Sequence, residues 1–344
     1  MKKETRIRFE QHLIIKPNSL VLFKPRDEVI GGKQRYKSDY WSANDSSPVE
    51  KVMPLSNLTN GFLSISAQSR MNNCLKYLFW LSGCFVKKRN KYVLNPNSLI
   101  TFVTLKLSAV QIDTDTYIKS AMLNQFITEL KDRYPNVLYV WRAEKQMNGN
   151  LHFHFLLNIF IKWELIRKIW NRIQAKEGYI ARYTARFSVM SFEEYILTYK
   201  NPKYDDIPKI KLAYKKGQEQ GWTDPNSIDV CKIKDIEHVY YYISKYMSKK
   251  GEDTKEMSLE VRDKLKIEGR IYYCCSRITR ISKNIHPTND KIIHDLDLIY
   301  SASPKNIHTE DYFICISLPI EKLWSIGCKY IFELFIINLN KPVS

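Results

Sequence analysis

From Leu99 onward the alternation of apolar and polar positions is regular enough to predict elements. Leu99-Ile100-Thr101-Phe102-Val103-Thr104-Leu105-Lys106-Leu107 is rich in β-branched and aromatic residues and predicts a buried strand. Asp113 or Thr114 can cap a helix running to about Arg133, with Tyr117, Met122, Phe126 and Leu130 near one face, and Pro135-Asn136 ends it. Residues 137–146 predict a second strand, Asn148-Gly149-Asn150 a turn, and residues 151–158 a third strand, so that the two form a hairpin. Residues 162–175 carry Trp163, Ile166, Ile169, Trp170 and Ile173 at three- and four-residue spacing, the period of a helix. Residues 178–222 read as an insertion with helical pieces around 191–200 and 208–220. A fourth strand is expected over 227–233, a helix over 235–250 and a fifth strand over 270–275. The order β-α-β-β-α-β-α-β around a central hairpin predicts an α+β fold with a mainly antiparallel, five-stranded sheet flanked by helices.

The flanks are less regular. Residues 1–60 have weak periodicity and many turn formers, and read as an irregular arm that includes Lys33-Gln34-Arg35-Tyr36-Lys37-Ser38. One helix is expected from Ser64 to about Leu81. The expected organisation is therefore a basic N-terminal extension with one helix (1–95), a central domain (96–285) with its insertion at 178–222, and a C-terminal extension (286–344) without an assigned role. The apolar stretch Ile326 to Leu339 is broken by Lys329 and Glu333, too short and too charged to span a bilayer.

Charge changes the picture. Lys and Arg number 54 against 36 Asp and Glu, a formal net charge of +18. A chain this basic gains free energy by releasing counterions from a polyphosphate, which makes nucleic acid the first partner to consider. The 22 Tyr, 15 Phe and 7 Trp add stacking faces, which suit single strands better than duplex. The seven cysteines are odd in number and form no CxxC pair, so they are expected to be reduced thiols, with a structural zinc disfavoured. The N-terminal residues lack the apolar core of a signal peptide. A protein of the cytoplasm that touches no membrane is the expectation.

Two clusters carry candidate chemistry. His152-Phe153-His154 lies on the third strand, where residues two apart share a face, so both imidazoles project together as a pair of metal ligands. Glu144 on the partner strand is the candidate third ligand, and hairpin register decides whether it reaches. A two-residue Asn148-Gly149 loop pairs Lys145 with His152 and turns Glu144 away. A three-residue Asn148-Gly149-Asn150 loop pairs Glu144 with His154 and Gln146 with His152, and needs Asn150 in the left-handed conformation. The metal reading thus predicts the three-residue loop, with Gln146 as a fallback ligand. Without the two histidines, Glu144 would read as a solvated strand carboxylate.

The second cluster is Tyr242-Ile243-Ser244-Lys245-Tyr246 in the expected 235–250 helix. Residues four apart share a helix face, so Tyr242 and Tyr246 align, with Lys245 close by. Lys245, Lys249 and Lys250 would draw a phosphate backbone across the phenols. Paired phenols can equally be core packing. A free phenol, with a pKa near 10, is ionised to about one part in a thousand at neutral pH, so a nucleophilic tyrosine needs a cation, a base or a metal-polarised substrate.

With these motifs in view, the chain resembles the HUH endonuclease superfamily, and within it the replication initiators of microviruses and related small phages with circular single-stranded DNA. Thr101-Phe102-Val103-Thr104-Leu105 resembles the first-strand motif, His152-Phe153-His154 the His-hydrophobe-His motif, and Tyr242-Ile243-Ser244-Lys245-Tyr246 the two-tyrosine motif with its internal lysine. Residues 226–230 and 269–274 are similar to segments flanking that motif, and the resemblance covers about residues 96–285. Tyr240 and Tyr241 extend the tyrosine run, and Cys231 stands where a histidine is expected.

The resemblance implies a metal-dependent, site-specific DNA nickase and strand transferase. Mg²⁺ or Mn²⁺ held by His152, His154 and Glu144 would polarise a phosphate. Tyr242 or Tyr246 would attack an origin in single-stranded DNA, leaving a 5′-phosphotyrosine and a 3′-hydroxyl that primes rolling-circle synthesis. Lys245 would stabilise the charge that develops. No organic cofactor is implied. No Walker-type loop is present in the sequence, so a helicase, like a polymerase, is expected from a bacterial host whose cytoplasm houses the reaction. The rivals are a single-tyrosine relaxase or transposase on the same scaffold and a non-catalytic basic nucleic-acid-binding protein. A small-molecule metallohydrolase ranks last because it leaves the charge and tyrosines unexplained.

Overall fold

The computed structural model describes residues 11–23, 26–30, 33–37, 61–89, 91–95, 100–199, 206–232, 258–281, 285–310 and 313–340. The chain divides into two compact units, one built from residues 56–65 and 99–273, the other from 1–55, 66–98 and 274–344. The expected helix over 235–250, with Tyr242, Lys245 and Tyr246, lies outside the described residues.

The first unit has the α+β architecture that the pattern predicts. Its strands are β1 (Thr101–Lys106), β2 (Tyr139–Lys145), β3 (Leu151–Leu157), β4 (Ile228–Lys232) and β5 (Tyr272–Cys274). They form one sheet in the order β4-β1-β3-β2-β5, and the β4–β1, β1–β3 and β3–β2 pairs are antiparallel. The first crossover is a helix capped by the Thr114 side chain. It begins as a single turn at Asp115–Tyr117, widens into a π turn at Ile118–Leu123 and continues as α1 (Asn124–Arg133). After β3 comes α2 (Trp163–Lys176).

Alternation assigns the two faces of the sheet. Phe153 and Phe155 point to one side, where Trp141 packs edge-on against Phe153, and Phe126 of α1 meets both Phe155 and Trp170 of α2. Trp170 also donates its indole N–H to the Lys106 carbonyl, which ties the helix layer to β1 (2.8 Å). His152 and His154 therefore face away from these helices.

The 178–222 segment is helical, with more helix than the pattern predicts. Alongside α4 (Phe192–Leu197) and α5 (Ile207–Glu219) there is α3 (Tyr179–Ser188), which sequence reasoning left unassigned. Together they enclose a small core of their own, Tyr195, Ile210 and Trp222, sealed by Tyr183, Phe187, Phe192 and Tyr214. Trp222 closes it with a left-handed backbone (φ +56°) and its ring stacked on Phe187. The chain then returns to β4 through Asp224 and Pro225, which are held by the Asn171 amide (2.7 and 3.0 Å) and by Arg167.

The second unit corrects the reading of the N-terminus as an irregular arm. His12–Lys16 and Ser19–Phe23 form a hairpin with Leu13, Ile15, Leu20 and Leu22 buried. It sits inside a second five-stranded sheet, between Ile285–Pro287 on one side and Phe313–Ile316 with Ile307–Thr309 on the other. Residues 26–30 and 33–37, expected to be irregular, pair as a two-stranded ladder. The helix Ile65–Leu81 agrees with its predicted span. Its Trp80 packs among Phe85, Tyr92, Phe332 and Phe335, so segments from both ends of the chain share one core. The apolar stretch 326–339 is accounted for by this packing: in the helix Lys329–Asn340, Ile331, Phe332, Phe335 and Leu339 are buried. Among the described residues no helix is long and apolar enough to cross a membrane.

Candidate metal centre

The β2–β3 hairpin brings Glu144, His152 and His154 together, in a register one step away from the predicted one. Glu144 lies opposite His152, and Arg142 opposite His154. The Gln146 N–H donates to the Asn150 carbonyl (2.9 Å), so the loop is still three residues long but consists of Met147-Asn148-Gly149. Gly149, with φ +87°, takes the left-handed position expected for Asn150. Glycine adopts that conformation without the Cβ clash that asparagine must tolerate, which favours the shifted loop. Asn150 is instead buried and structural, its side chain accepting from the Gln111 N–H (2.9 Å) and donating to the Ala109 carbonyl (2.9 Å). Because the shift moves both strands together, the parity of the faces is kept and Glu144 stays beside the histidines.

The three side chains converge closely. His154 Nε2 lies 3.1 Å from Glu144 Oε2, His152 Nε2 lies 3.4 Å from the same oxygen, and the two Nε2 atoms are 2.9 Å apart. Each residue thus offers one ligand atom, all within 4.8 Å of one another. Two imidazoles and a carboxylate are a donor set for a divalent transition metal or Mn²⁺, and they leave positions open for a substrate. Burial pulls the His154 imidazole down to about 4 against the opposing hydrogen bond from Glu144, so at neutral pH it carries no proton that a metal would have to displace.

Neighbours that sequence reasoning missed hold His154 in place. Thr104 of β1 lies opposite it, and the Thr104 hydroxyl is 3.1 Å from His154 Nδ1. Phe102, two residues back on the same face, stacks on the imidazole (centroids 5.5 Å apart, 23° between planes). With Nδ1 donating to Thr104, the Nε2 lone pair is free for a metal. His152 lacks this support: its Nδ1 is buried with no hydrogen-bond partner among the described residues. Arg142 is buried on the same face, and burial pulls its guanidinium down against the raising effect of the Glu144 charge. Lys106, opposite His152, is ion-paired with Asp229 of β4. These residues could have been found from the two-residue alternation of the first strand, had its pairing with the third strand been known.

The fold and site define a basic α+β protein with a cluster able to hold a divalent metal on one face of its sheet. A family model for the replication-associated protein ORF2 matches residues 100–251, the stretch that contains β1, both histidines and the Tyr242–Tyr246 motif. The similarity supports a replication-associated role. No curated protein and no solved structure matches the chain.

Proposed function

We propose that this protein initiates rolling-circle replication by nicking single-stranded DNA at an origin, as the resemblance to HUH endonucleases of the microvirus type implies. The observation that carries the reading is the convergence of Glu144, His152 and His154 on one sheet face, inside the stretch that matches the replication-associated family. A bound Mg²⁺ or Mn²⁺ supplies Lewis-acid polarisation of the scissile phosphate. Thr104 and Phe102 fix the orientation of His154, and Arg142 adds positive charge to a face that receives a phosphodiester.

In the transfer step the phenol oxygen of Tyr242 or Tyr246 bonds to phosphorus, the bond to the sugar 3′-oxygen breaks, and that oxygen takes up a proton. The products are a 5′-phosphotyrosine and a 3′-hydroxyl able to prime synthesis. The ester remains in the protein link, so the reverse attack religates without a nucleotide fuel. A second tyrosine allows a regenerated origin to be cut while the first is still loaded. Lys245 stabilises the charge that develops in the transfer. Unwinding and extension then fall to a host helicase and polymerase in the cytoplasm, where the thiols stay reduced. All seven cysteines of the structure are free.

The test mixes the full chain with labelled single-stranded DNA from a candidate circle and Mn²⁺, followed by denaturing electrophoresis. A covalent adduct is expected, absent in His152→Ala and in the Tyr242→Phe/Tyr246→Phe double variant, and partly retained in one single tyrosine variant. Loss in one single variant with full retention in the other indicates a one-tyrosine relaxase or transposase. Metal-independent binding with no adduct on any strand leaves only a nucleic-acid-binding protein.

A further inference from the structure

The metal centre makes no use of the helical insertion, whose surface is organised around α5. In α5, Ile210 is buried and Tyr214 is half-buried, so the side of the helix near them faces the insertion's own core. The other side exposes Lys209, Lys211, Lys215 and Lys216, with Leu212 between them at 68% exposure. The sole carboxylate of the helix, Glu219, lies in its last turn within 3.9 Å of Lys215.

At about 100° per residue, Lys209 and Lys216 fall on one edge of the exposed face and Lys211 and Lys215 on the other, roughly 130° apart, with Leu212 on the ridge between. On a helix about 10–12 Å across, two such rows lie roughly as far apart as the walls of a DNA major groove, which is about 12 Å wide. A single strand would call for exposed stacking rings. The aromatic ring of α5, Tyr214, instead turns inward and donates its hydroxyl proton to the Met190 carbonyl (2.7 Å).

The platform beneath α5 is built to hold it still. A Cβ on Gly217 would stand 2.3 Å from the Trp222 ring, so helix and ring are in direct contact, and the Asp224 clamp to α2 fixes the exit of the insertion. We propose that α5 is a duplex-DNA contact surface, its two lysine rows meeting the phosphates on either side of a major groove. Duplex flanking a nick site is the partner of that chemistry, and the inference stands independently of the metal chemistry proposed above.

The experiment uses the full chain, a 20-base-pair duplex of arbitrary sequence and a 20-nucleotide oligothymidylate, with binding followed by fluorescence anisotropy across a salt series. The variant Lys209→Gln/Lys211→Gln/Lys215→Gln/Lys216→Gln keeps good helix formers throughout. A control variant removes four scattered exposed lysines, Lys91, Lys131, Lys305 and Lys322, by the same change. Each phosphate contact contributes about 0.9 to the slope of log affinity against log salt, so the α5 variant should lose about 3 to 4 of that slope on duplex. Its oligothymidylate binding should match that of the control. Leu212→Glu, which keeps all four lysines but sets a carboxylate on the ridge, should weaken duplex binding at least fivefold.

Duplex binding by the α5 variant equal to that of the control overturns the proposal. So does an equal loss on oligothymidylate, or a Leu212→Glu protein with unchanged duplex affinity. Adduct formation on single-stranded DNA, run in parallel, should survive in the α5 variant. If the wild type forms no adduct, the nicking reading fails while the duplex result is still read on its own.

Discussion

Thr104→Val tests whether the tautomer of His154 is set for metal binding. The Thr104 hydroxyl lies 3.1 Å from His154 Nδ1, and both side chains are buried, so no bulk water replaces the hydroxyl when it is lost. Valine keeps the shape and removes the acceptor. The metal-free protein can adapt, because the proton can move to Nε2, which already lies 3.1 Å from Glu144 Oε2. With a metal on Nε2 that escape is closed, and Nδ1–H is buried without an acceptor. A buried unsatisfied donor costs about 1–3 kcal/mol. The cost falls almost entirely on the metal-bound state, so Mn²⁺ affinity should weaken about 5- to 100-fold. Isothermal titration with Mn²⁺ at fixed pH measures this directly, with Thr104→Ser expected to restore most of the affinity. Metal-free stability should change little. A Thr104→Val protein that binds Mn²⁺ within twofold of wild type would refute the reasoning, as would a serine variant as weak as the valine one.

Acid should destabilise the metal-free protein through His154. Its folded pKa of about 4 lies below the ordinary imidazole value of 6.5, so the unfolded chain takes up the proton first. The stability is fully present above about pH 6.5 and is lost as pH falls towards 4, by about 3 kcal/mol at the limit. Urea denaturation across that range should show the loss, and a His154→Gln protein with the same acid sensitivity would assign it elsewhere. Gly149→Ala should cost about 1–2 kcal/mol because φ +87° is disfavoured for any residue with a Cβ, and Gly149→Asn should cost less. Equal losses in chemical denaturation would contradict the left-handed requirement. Gly217→Ala forces the Trp222 ring from its place and should open residues 179–222 to limited proteolysis. Mn²⁺ affinity should stay within twofold, and a parallel loss of metal binding would mean that the insertion and the sheet are energetically coupled.

The elements most legible in the sequence are those whose partners lie nearby. The helices at 65–81 and 163–176 and the β2–β3 hairpin carry their period within a dozen residues, and their observed bounds fall close to the predicted ones. The N-terminal hairpin is different. Its five-residue strands offer only Leu13 and Ile15 in alternation, and the strands that flank it come from Ile285–Pro287 and Phe313–Ile316, at the far end of the chain. Such strands are stabilised by tertiary burial rather than by local preference, so a window read along the sequence sees turn formers and charge. A local cue did exist at 26–37, where the two residues between the paired Ile30 and Lys33 are glycines, which favour tight hairpin turns. The insertion helix Tyr179–Ser188 was hidden for another reason. It buries Tyr179 and Ile180 and leaves Tyr183 and Phe187 half-covered against a core supplied by Tyr195 and Trp222, so its apolar stripe is aromatic and interrupted by arginines.

The candidate centre tolerated an error in register, and the reason is geometric. Predicting Glu144 opposite His154 and observing it opposite His152 differ by a shift of two residues in the pairing sum, which preserves which side chains share a face. A shift of one would have sent Glu144 to the helix side, among Trp141 and Phe153, where an ionised carboxylate has no place. Three side chains from two adjacent strands were therefore recoverable from alternation alone. Thr104 was not, because it reaches His154 from β1, a strand separated from β3 by a helix and β2, and no local pattern states which strands of a sheet lie side by side. Ligands that share a hairpin are written in the sequence, and the groups that orient those ligands are written in the topology. Substitutions at Glu144 or the histidines accordingly test the chemistry of the site, while Thr104→Val tests whether the assembled sheet has prepared that site for a metal.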